Sequence, residues 1–334
     1  RYPALLASFP GGISSSPVML SGHFDVVSPE PDDSQFEPRI EGDYLWGRGA
    51  ADMKTVVATY LVWMKDTLRQ GPPYPPVQLL LVGNEENGEG EPFGTPHVLQ
   101  ALSEDGIAPP GLFIAGERTG ERGNELWGEV CTQSRGLMRV ELCAQADRGH
   151  TGVGSARADL LDQLLAARLG LLDLFQKHLT MSSADGWQSA ARFSYLQVGE
   201  PGVFNISAGQ ARLGVEIRPI PQDDLNSLAN ALEDYCRDQG LAFKISVREN
   251  GIICDPQNPH LQRLLAAVRQ VSDSEPRVGR NLPGPSARFA PGGQGVPWGQ
   301  SGIGPHSREE RHYIPSIDPY YRALKVFASN LLKA

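Results

Sequence analysis

A hydrophobic run, Val77-Gln78-Leu79-Leu80-Leu81, leads straight into VGNEENGEGE, residues 82–91. Glu85 and Glu86 stand side by side there, with Glu89 and Glu91 behind them. Adjacent carboxylates repel, so they need a counter-charge or a shared proton. A solvated acidic turn is the plain alternative, and Glu89 and Glu91 read that way. Four other stretches offer similar chemistry. SGHFDVV carries His23 and Asp25. In a strand, residues two apart point the same way, so Asp25 can back His23, orienting the ring and raising its basicity. GRGAADMK, residues 47–54, carries Asp52, which could equally be a helix N-cap. Glu117 follows the apolar run Leu112-Phe-Ile-Ala, and GIGPHSREERH, residues 302–312, carries His306 and His312.

The elements that must position these residues follow from the hydrophobic pattern. Residues 18–22, 77–82 and 112–115 read as buried strands, and 55–70 as a helix with Val57, Leu61, Met64 and Leu68 on one face, stopped by Gly71-Pro72-Pro73. Apolar strands alternating with helices predict a largely parallel α/β sheet. His23, Glu85, Glu86 and Glu117 each come just after or at the end of such a strand, where open α/β sheets bind ligands. Several acids on one rim call for a divalent metal. Mixed His/Asp/Glu ligation suits zinc, with cobalt or manganese as alternatives. Five candidate ligands exceed the needs of one catalytic zinc, and a carboxylate bridging two metals would use them all.

The pattern changes after residue 133. Strands are expected at 137–144, 193–198, 210–217 and 241–247, and helices at 158–179 and 223–239, which is an α+β unit with an antiparallel sheet. The helix at 158–179 has leucines at 160, 161, 164, 165, 169, 171, 172 and 174, too many for one face. Either the helix is covered on both sides, or an apolar face is left for a second subunit. From residue 251 the first pattern returns, with helices at 260–272 and 319–332 around the Gly/Pro-rich tract 283–305. One domain is therefore inserted into another: a catalytic domain from residues 1–133 and 251–334, and an insert at 134–250.

The composition, with a net charge of −9, argues against nucleic acid or an anionic membrane as partner. No run of about 18 apolar residues predicts a membrane span. The four cysteines show no metal-ligand spacing and are expected to be buried, reduced thiols of a cytoplasmic protein. The start at Arg1 leaves room for an upstream segment, targeting or otherwise.

The ordered set SGHFDVV, GRGAADMK, the Glu pair, GERTG, RGHTG, FNISAG with EIRPIP, and GVPWGQSGIGPH spans nearly the whole chain. It resembles the dizinc metallopeptidase family that includes acetylornithine deacetylase, succinyl-diaminopimelate desuccinylase, aminoacylase and glutamate carboxypeptidase. The resemblance implies two metals held by His23, Glu86, Glu117 and His306, with Asp52 as the bridge. It implies Glu85 as general base and Asp25 behind His23. It makes the insert a lid and dimerisation domain, a ferredoxin-like sandwich. There His150 would stabilise the oxyanion of a neighbouring site, while Asn205 and Arg218 hold substrate, Arg218 through a carboxylate. A homodimer through the lid is then expected.

This chain departs from the family in places. Only 22 residues precede His23, where relatives carry several dozen, so lower stability with unchanged metal ligands is expected. Thr55 replaces a usual glycine. Ser286-Ala287-Arg288 replaces Asp-Ala-Arg, which places Arg288 among the substrate-binding candidates with an altered setting. His306 is preferred over His312 as ligand because it follows Gly-Ile-Gly-Pro and has Glu310 four residues on. His97, His178 and His260 are read as structural or surface residues. The expected reaction is hydrolysis of an N-acyl amino acid or small peptide. A carboxypeptidase or dipeptidase of the same family, or a catalytically silent metal- or ligand-binding relative, is the alternative.

Overall fold

Runs that are apolar on both faces become the centre of a sheet. The computed structural model describes residues 3–11, 18–86, 91–153, 159–272 and 274–333. It divides into two compact units, Arg1–Ser134 with Ile252–Ala334, and Arg135–Gly251.

The first unit is built on a five-stranded sheet ordered Ala4–Ser8, Val77–Val82, Val18–His23, Leu112–Ala115, Gly295–Pro297. The first pairing is antiparallel and the other three are parallel. Every residue of the Val18–His23, Val77–Val82 and Leu112–Ala115 strands is buried, as continuous apolar runs in a parallel sheet require. Leu20, Leu79 and Ile114 pack one face against Tyr60, Trp63, Leu324 and Phe327. Met19, Leu80 and Phe113 pack the other against Ala287 and Ala290. His23 pairs with Val82, and Ser21 with Ala115, so these strands end nearly level.

The helix Thr55–Gln70 has the expected span, but its buried face differs. Val56, Val57, Tyr60, Trp63 and Met64 are buried, whereas Leu61 and Leu68 are 46% and 44% exposed. Tyr60 and Trp63 bury more area than two leucines, so they set the helix's rotation. The Gly/Pro-rich tract also hides a strand, Gly295–Pro297, which completes the sheet beside Leu112–Ala115. A second, antiparallel sheet joins Gly302–Ile303, Arg311–Tyr313, Tyr44–Trp46 and Arg39–Glu41 in that order. It ties the His306 hairpin to the segment leading into Asp52.

The second unit runs strand, helix, strand, strand, helix, strand. Its sheet is ordered Ala242–Glu249, Leu137–Gln145, Gln210–Arg218, Ala190–Val198, all antiparallel, which is ferredoxin-like topology. The Leu160–His178 and Leu225–Asp238 helices are N-capped by Asp159 and Asp224, whose carboxylates each accept two backbone N–H groups. The long helix uses its surplus of leucines on two faces. Leu160, Leu164, Ala167, Leu171 and Phe175 join the core of the unit. Leu161, Leu165, Leu169 and Leu172 form an exposed stripe, with Leu169 62% exposed. The expected start at Ala158 lies outside the described residues, as does Glu89.

All four cysteines are free. Cys131, Cys236 and Cys254 are buried, but Cys143 is half-exposed, contrary to expectation, because it alternates outward on the Leu137–Gln145 strand. Among the described residues no helix is long and apolar enough to cross a membrane.

Candidate active site

Strand ends deliver the candidate ligands. His23 is the last residue of its strand. Glu85 and Glu86 lie just past Val82, and Glu117 lies just past Ala115. Glycine is needed between Ala115 and Glu117: a Cβ on Gly116 would meet the Tyr60 hydroxyl at 2.6 Å and Val56 Cγ1 at 2.7 Å. Asp52 is not a helix cap. It sits in the turn before the Thr55–Gln70 helix with non-helical backbone angles.

Asp52 lies between two imidazoles. Its Oδ1 is 3.0 Å from His23 Nε2, and its Oδ2 is 3.4 Å from His306 Nε2. Glu117 and Glu85 approach His23 Nε2 at 3.9 Å each. Glu86 stands 3.1 Å from His306 Nε2. His23, Asp52 and Glu86 each place a ligand atom within 4.8 Å of one another. Asp25 lies behind: its Oδ1 is 3.4 Å from His23 Nδ1, and its carboxylate accepts the backbone N–H groups of Glu85 at 3.3 Å and Glu86 at 3.0 Å. It therefore ties His23 to the glutamate pair, a link the sequence did not reveal.

The rim carries more negative charge than the chain alone neutralises, and its protonation reflects this. Burial works against a charged His23, yet Asp25 and Asp52 outweigh it and hold the ring well above its ordinary pKa. Asp52 and Glu86 push His306 up to about 10. Burial, reinforced by the charge of Asp52, raises Glu117 well above the usual carboxylate range. Burial opposes ionisation of Asp52 too, but its bonds to His23 and His306 keep it below that range. Two imidazoles that hold protons against a crowd of carboxylates, and one carboxylate, Glu117, pushed toward its neutral form, make a donor set that fits divalent metal.

The two histidines of the C-terminal hairpin separate clearly. His306, with φ of 64°, is half-exposed and faces Asp52 and Glu86. His312 is 1% exposed, its Nε2 sits 3.3 Å from Ser316 Oγ, and burial lowers its pKa to about 4. His97 is exposed, and His178 pairs with Ser227.

In the second unit, the segments holding His150 and Asn205 are laced together. Thr151 N donates to Asn205 O at 3.1 Å, and Ser207 N to Gly149 O at 2.8 Å. Gly152 N donates to His150 Nδ1 at 3.0 Å, which leaves the proton of the neutral ring on Nε2. Both residues are exposed. They flank the end where Gln145 pairs with Gln210. Arg218 is at the opposite end of the Gln210–Arg218 strand, eight residues on and so roughly 26 Å away at about 3.3 Å per residue. Its guanidinium meets Glu216 Oε1 at 2.9 Å. Arg135 lies near it: burial, with the like charge of Arg218, lowers the Arg135 pKa. Nothing in the local sequence singled out Arg135, because its neighbour is distant along the chain. Arg288, in the first unit, is buried, donates to Gly284 O at 2.6 Å and stacks over Phe289 at 4.3 Å. Its guanidinium thus holds its own loop.

Residues 19–331 match the model of peptidase family M20/M25/M40. The succinyl-diaminopimelate desuccinylase of Gluconobacter oxydans (strain 621H) is 28% identical over 313 residues, covering 92% of this chain and 80% of that protein. That of Bordetella petrii is 25% identical over 333 residues, covering 94% and 83%. In fold, the dipeptidase Dug1p of Saccharomyces cerevisiae aligns with a TM-score of 0.74 at 14% identity, over 99% of this chain and 83% of its own. The M20 metallo-carboxypeptidase Sso-CP2 of Sulfolobus solfataricus aligns with a TM-score of 0.71 at 17% identity, over 98% and 87%. The chain belongs to peptidase family M20/M25/M40 and is a metal-dependent hydrolase of the amidohydrolase and peptidase type.

Proposed function

We propose that the chain is a two-metal, zinc-type hydrolase that cleaves the amide bond of an N-acyl amino acid or small peptide bearing a free carboxylate. The observation that carries this is Asp52, with one oxygen toward His23 and the other toward His306. Each imidazole has a glutamate beside it, Glu117 on the first side and Glu86 on the second. These five residues would hold the ions, with Asp52 shared. Metal bound there would lower the pKa of a water and polarise the scissile carbonyl.

Glu85 is the general base. It comes within 3.9 Å of His23 without being needed as a ligand, so it can accept the proton of the attacking water and return it to the leaving nitrogen. Asp25 positions His23 and the backbone of the glutamate pair. His150 presents an Nε2–H donor suited to an oxyanion. Arg218, with Arg135 beside it, grips the substrate carboxylate in exchange for Glu216. Asn205 adds an amide donor next to His150. Arg288 is assigned to loop architecture. A lid whose arginines and histidine flank opposite ends of a strand roughly 26 Å long can serve two sites, and this supports a homodimer in which His150 and Asn205 complete the neighbouring site.

The relatives in sequence are named as desuccinylases and those in fold as a dipeptidase and a carboxypeptidase, and a carboxylate grip serves both chemistries. A panel of N-acetyl and N-succinyl amino acids and dipeptides, each free and carboxyl-amidated, separates them. The expected outcome is hydrolysis that requires added zinc or cobalt and is at least about tenfold faster for free carboxylates, since one charge-assisted pair is worth ~1.5–3 kcal/mol. Fewer than one metal per chain and no turnover after metal addition would favour the silent alternative.

A further inference from the structure

Glu310 is 1% exposed and lies four residues beyond His306. Its Oε1 accepts the backbone N–H groups of Ala51 at 3.1 Å and Asp52 at 3.2 Å. Its Oε2 accepts from Arg48 NH1 at 2.7 Å. Arg48 NH2 in turn meets Asp33 Oδ2 at 3.1 Å, and both of those side chains are 3% exposed or less. Asp33 Oδ1 accepts Gln35 N at 2.9 Å, and the Gln35 amide donates to the carbonyls of Arg308 and Glu310. The network therefore closes on itself: the hairpin that carries His306 also holds the turn that carries Asp52.

We propose that Glu310 is a positioning residue for the bridging carboxylate, setting where Asp52 points by holding the two N–H groups of its turn. This rests on the metal-centre reading above. The Asp52 turn lacks helical angles, so no intrahelical bond takes these N–H groups. A buried N–H without an acceptor is costly, which leaves the turn few alternatives to the Glu310 carboxylate. Arg48, itself held by Asp33, fixes the other oxygen of that carboxylate and so aims it at the turn.

The test compares E310Q with E310M. Both are neutral and near the native size, and both leave Arg48 facing Asp33. They differ in one acceptor oxygen for Ala51 N and Asp52 N. Cobalt is titrated into metal-stripped protein against a competing chelator, and the visible absorption of the cobalt-loaded protein is recorded. E310Q is expected to bind two cobalt ions within about threefold of wild type with the native spectrum. E310M is expected to lose about tenfold or more in affinity for at least one ion, in the range of an outer-shell loss, with a shifted spectrum. If E310M does not fold, E310D replaces it. Its carboxylate keeps the charge beside Arg48 but falls one methylene short, and it is expected to lose affinity where E310Q does not. Native affinity and spectrum in E310M, or equal impairment in E310Q and E310M, overturns the proposal. Wild-type protein that takes up no cobalt overturns the metal-centre reading itself, a separate result.

Discussion

Removing Asp25 should weaken both halves of the metal site, and by different amounts. Its carboxylate touches His23 Nδ1 at 3.4 Å and the N–H of Glu85 at 3.3 Å, both long for hydrogen bonds. Its contact with Glu86 N, at 3.0 Å, has normal length. A hydrogen bond to a charged group is worth about 1.5–3 kcal/mol, and loss of an outer partner typically costs about 10–100-fold in metal affinity. Asp25→Ala removes every side-chain contact, leaving the main-chain carbonyl 3.3 Å from His23 Nδ1, and frees the Glu86 backbone, so about 100-fold is expected, roughly 2.8 kcal/mol at about 1.4 kcal/mol per decade. Asp25→Asn keeps an acceptor for Glu86 N but loses the charge behind His23. About tenfold is expected, confined to the His23 side. Stepwise cobalt titration against a chelator resolves the two ions, with a thermal melt to check folding. The reasoning fails if Asp25→Ala binds both ions within threefold of wild type, or if Asn and Ala behave alike.

Glu85→Gln should lower kcat by about 10²–10⁴-fold while metal content stays native by elemental analysis, since the role proposed for Glu85 is proton transfer and not ligation; appreciable residual turnover would move the base elsewhere. In metal-free protein, His306 is held up to about 10 by Asp52 and Glu86, against about 6.5 when unfolded. The stability it contributes is fully present below the unfolded pKa and is lost as pH rises through the folded one. Melting of the stripped protein between pH 7 and 10 should therefore fall more steeply for wild type than for His306→Asn, and identical slopes would contradict the assignment. Charging the exposed stripe with Leu165→Glu and Leu169→Glu should convert the proposed dimer to a monomer in light scattering with little change in melting; a wild-type monomer at micromolar concentration would remove that role.

What the sequence disclosed depended on how much of each feature is local. The runs ending at His23, Val82 and Ala115 were legible because central parallel strands are apolar without alternation. Gly295–Pro297 was not, since three residues including glycine and proline give no run to detect. The rotation of the Thr55–Gln70 helix escaped because pattern counting weighs Leu61 like Tyr60, while packing weighs area. His306 could be preferred over His312 from its motif, but its facing Asp52 and Glu86 depends on a hairpin closing onto a distant strand. The tasks of Asp25 toward Glu86, of Glu310 toward Asp52 and of Arg135 beside Arg218 all join residues far apart in the chain. No spacing rule reports such pairs.

The insertion also bears on how the protein is made. A ribosome releases Leu112–Ala115 long before its sheet partner Gly295–Pro297, with the whole Arg135–Gly251 unit between them. At about 5–20 residues per second, the delay is on the order of ten seconds. During that time the inserted unit can fold by itself, because its strands and helices are contiguous in the chain. The first unit waits with an apolar strand edge open, the kind of surface that promotes aggregation. The residues proposed as metal ligands wait too, since His306 is made last, so the proposed site is complete only when synthesis is nearly over. Nascent chains halted after Ala290 should resist protease across Arg135–Gly251 and nowhere else. Resistance across residues 18–134 in such chains would mean that the first unit closes without its final strand.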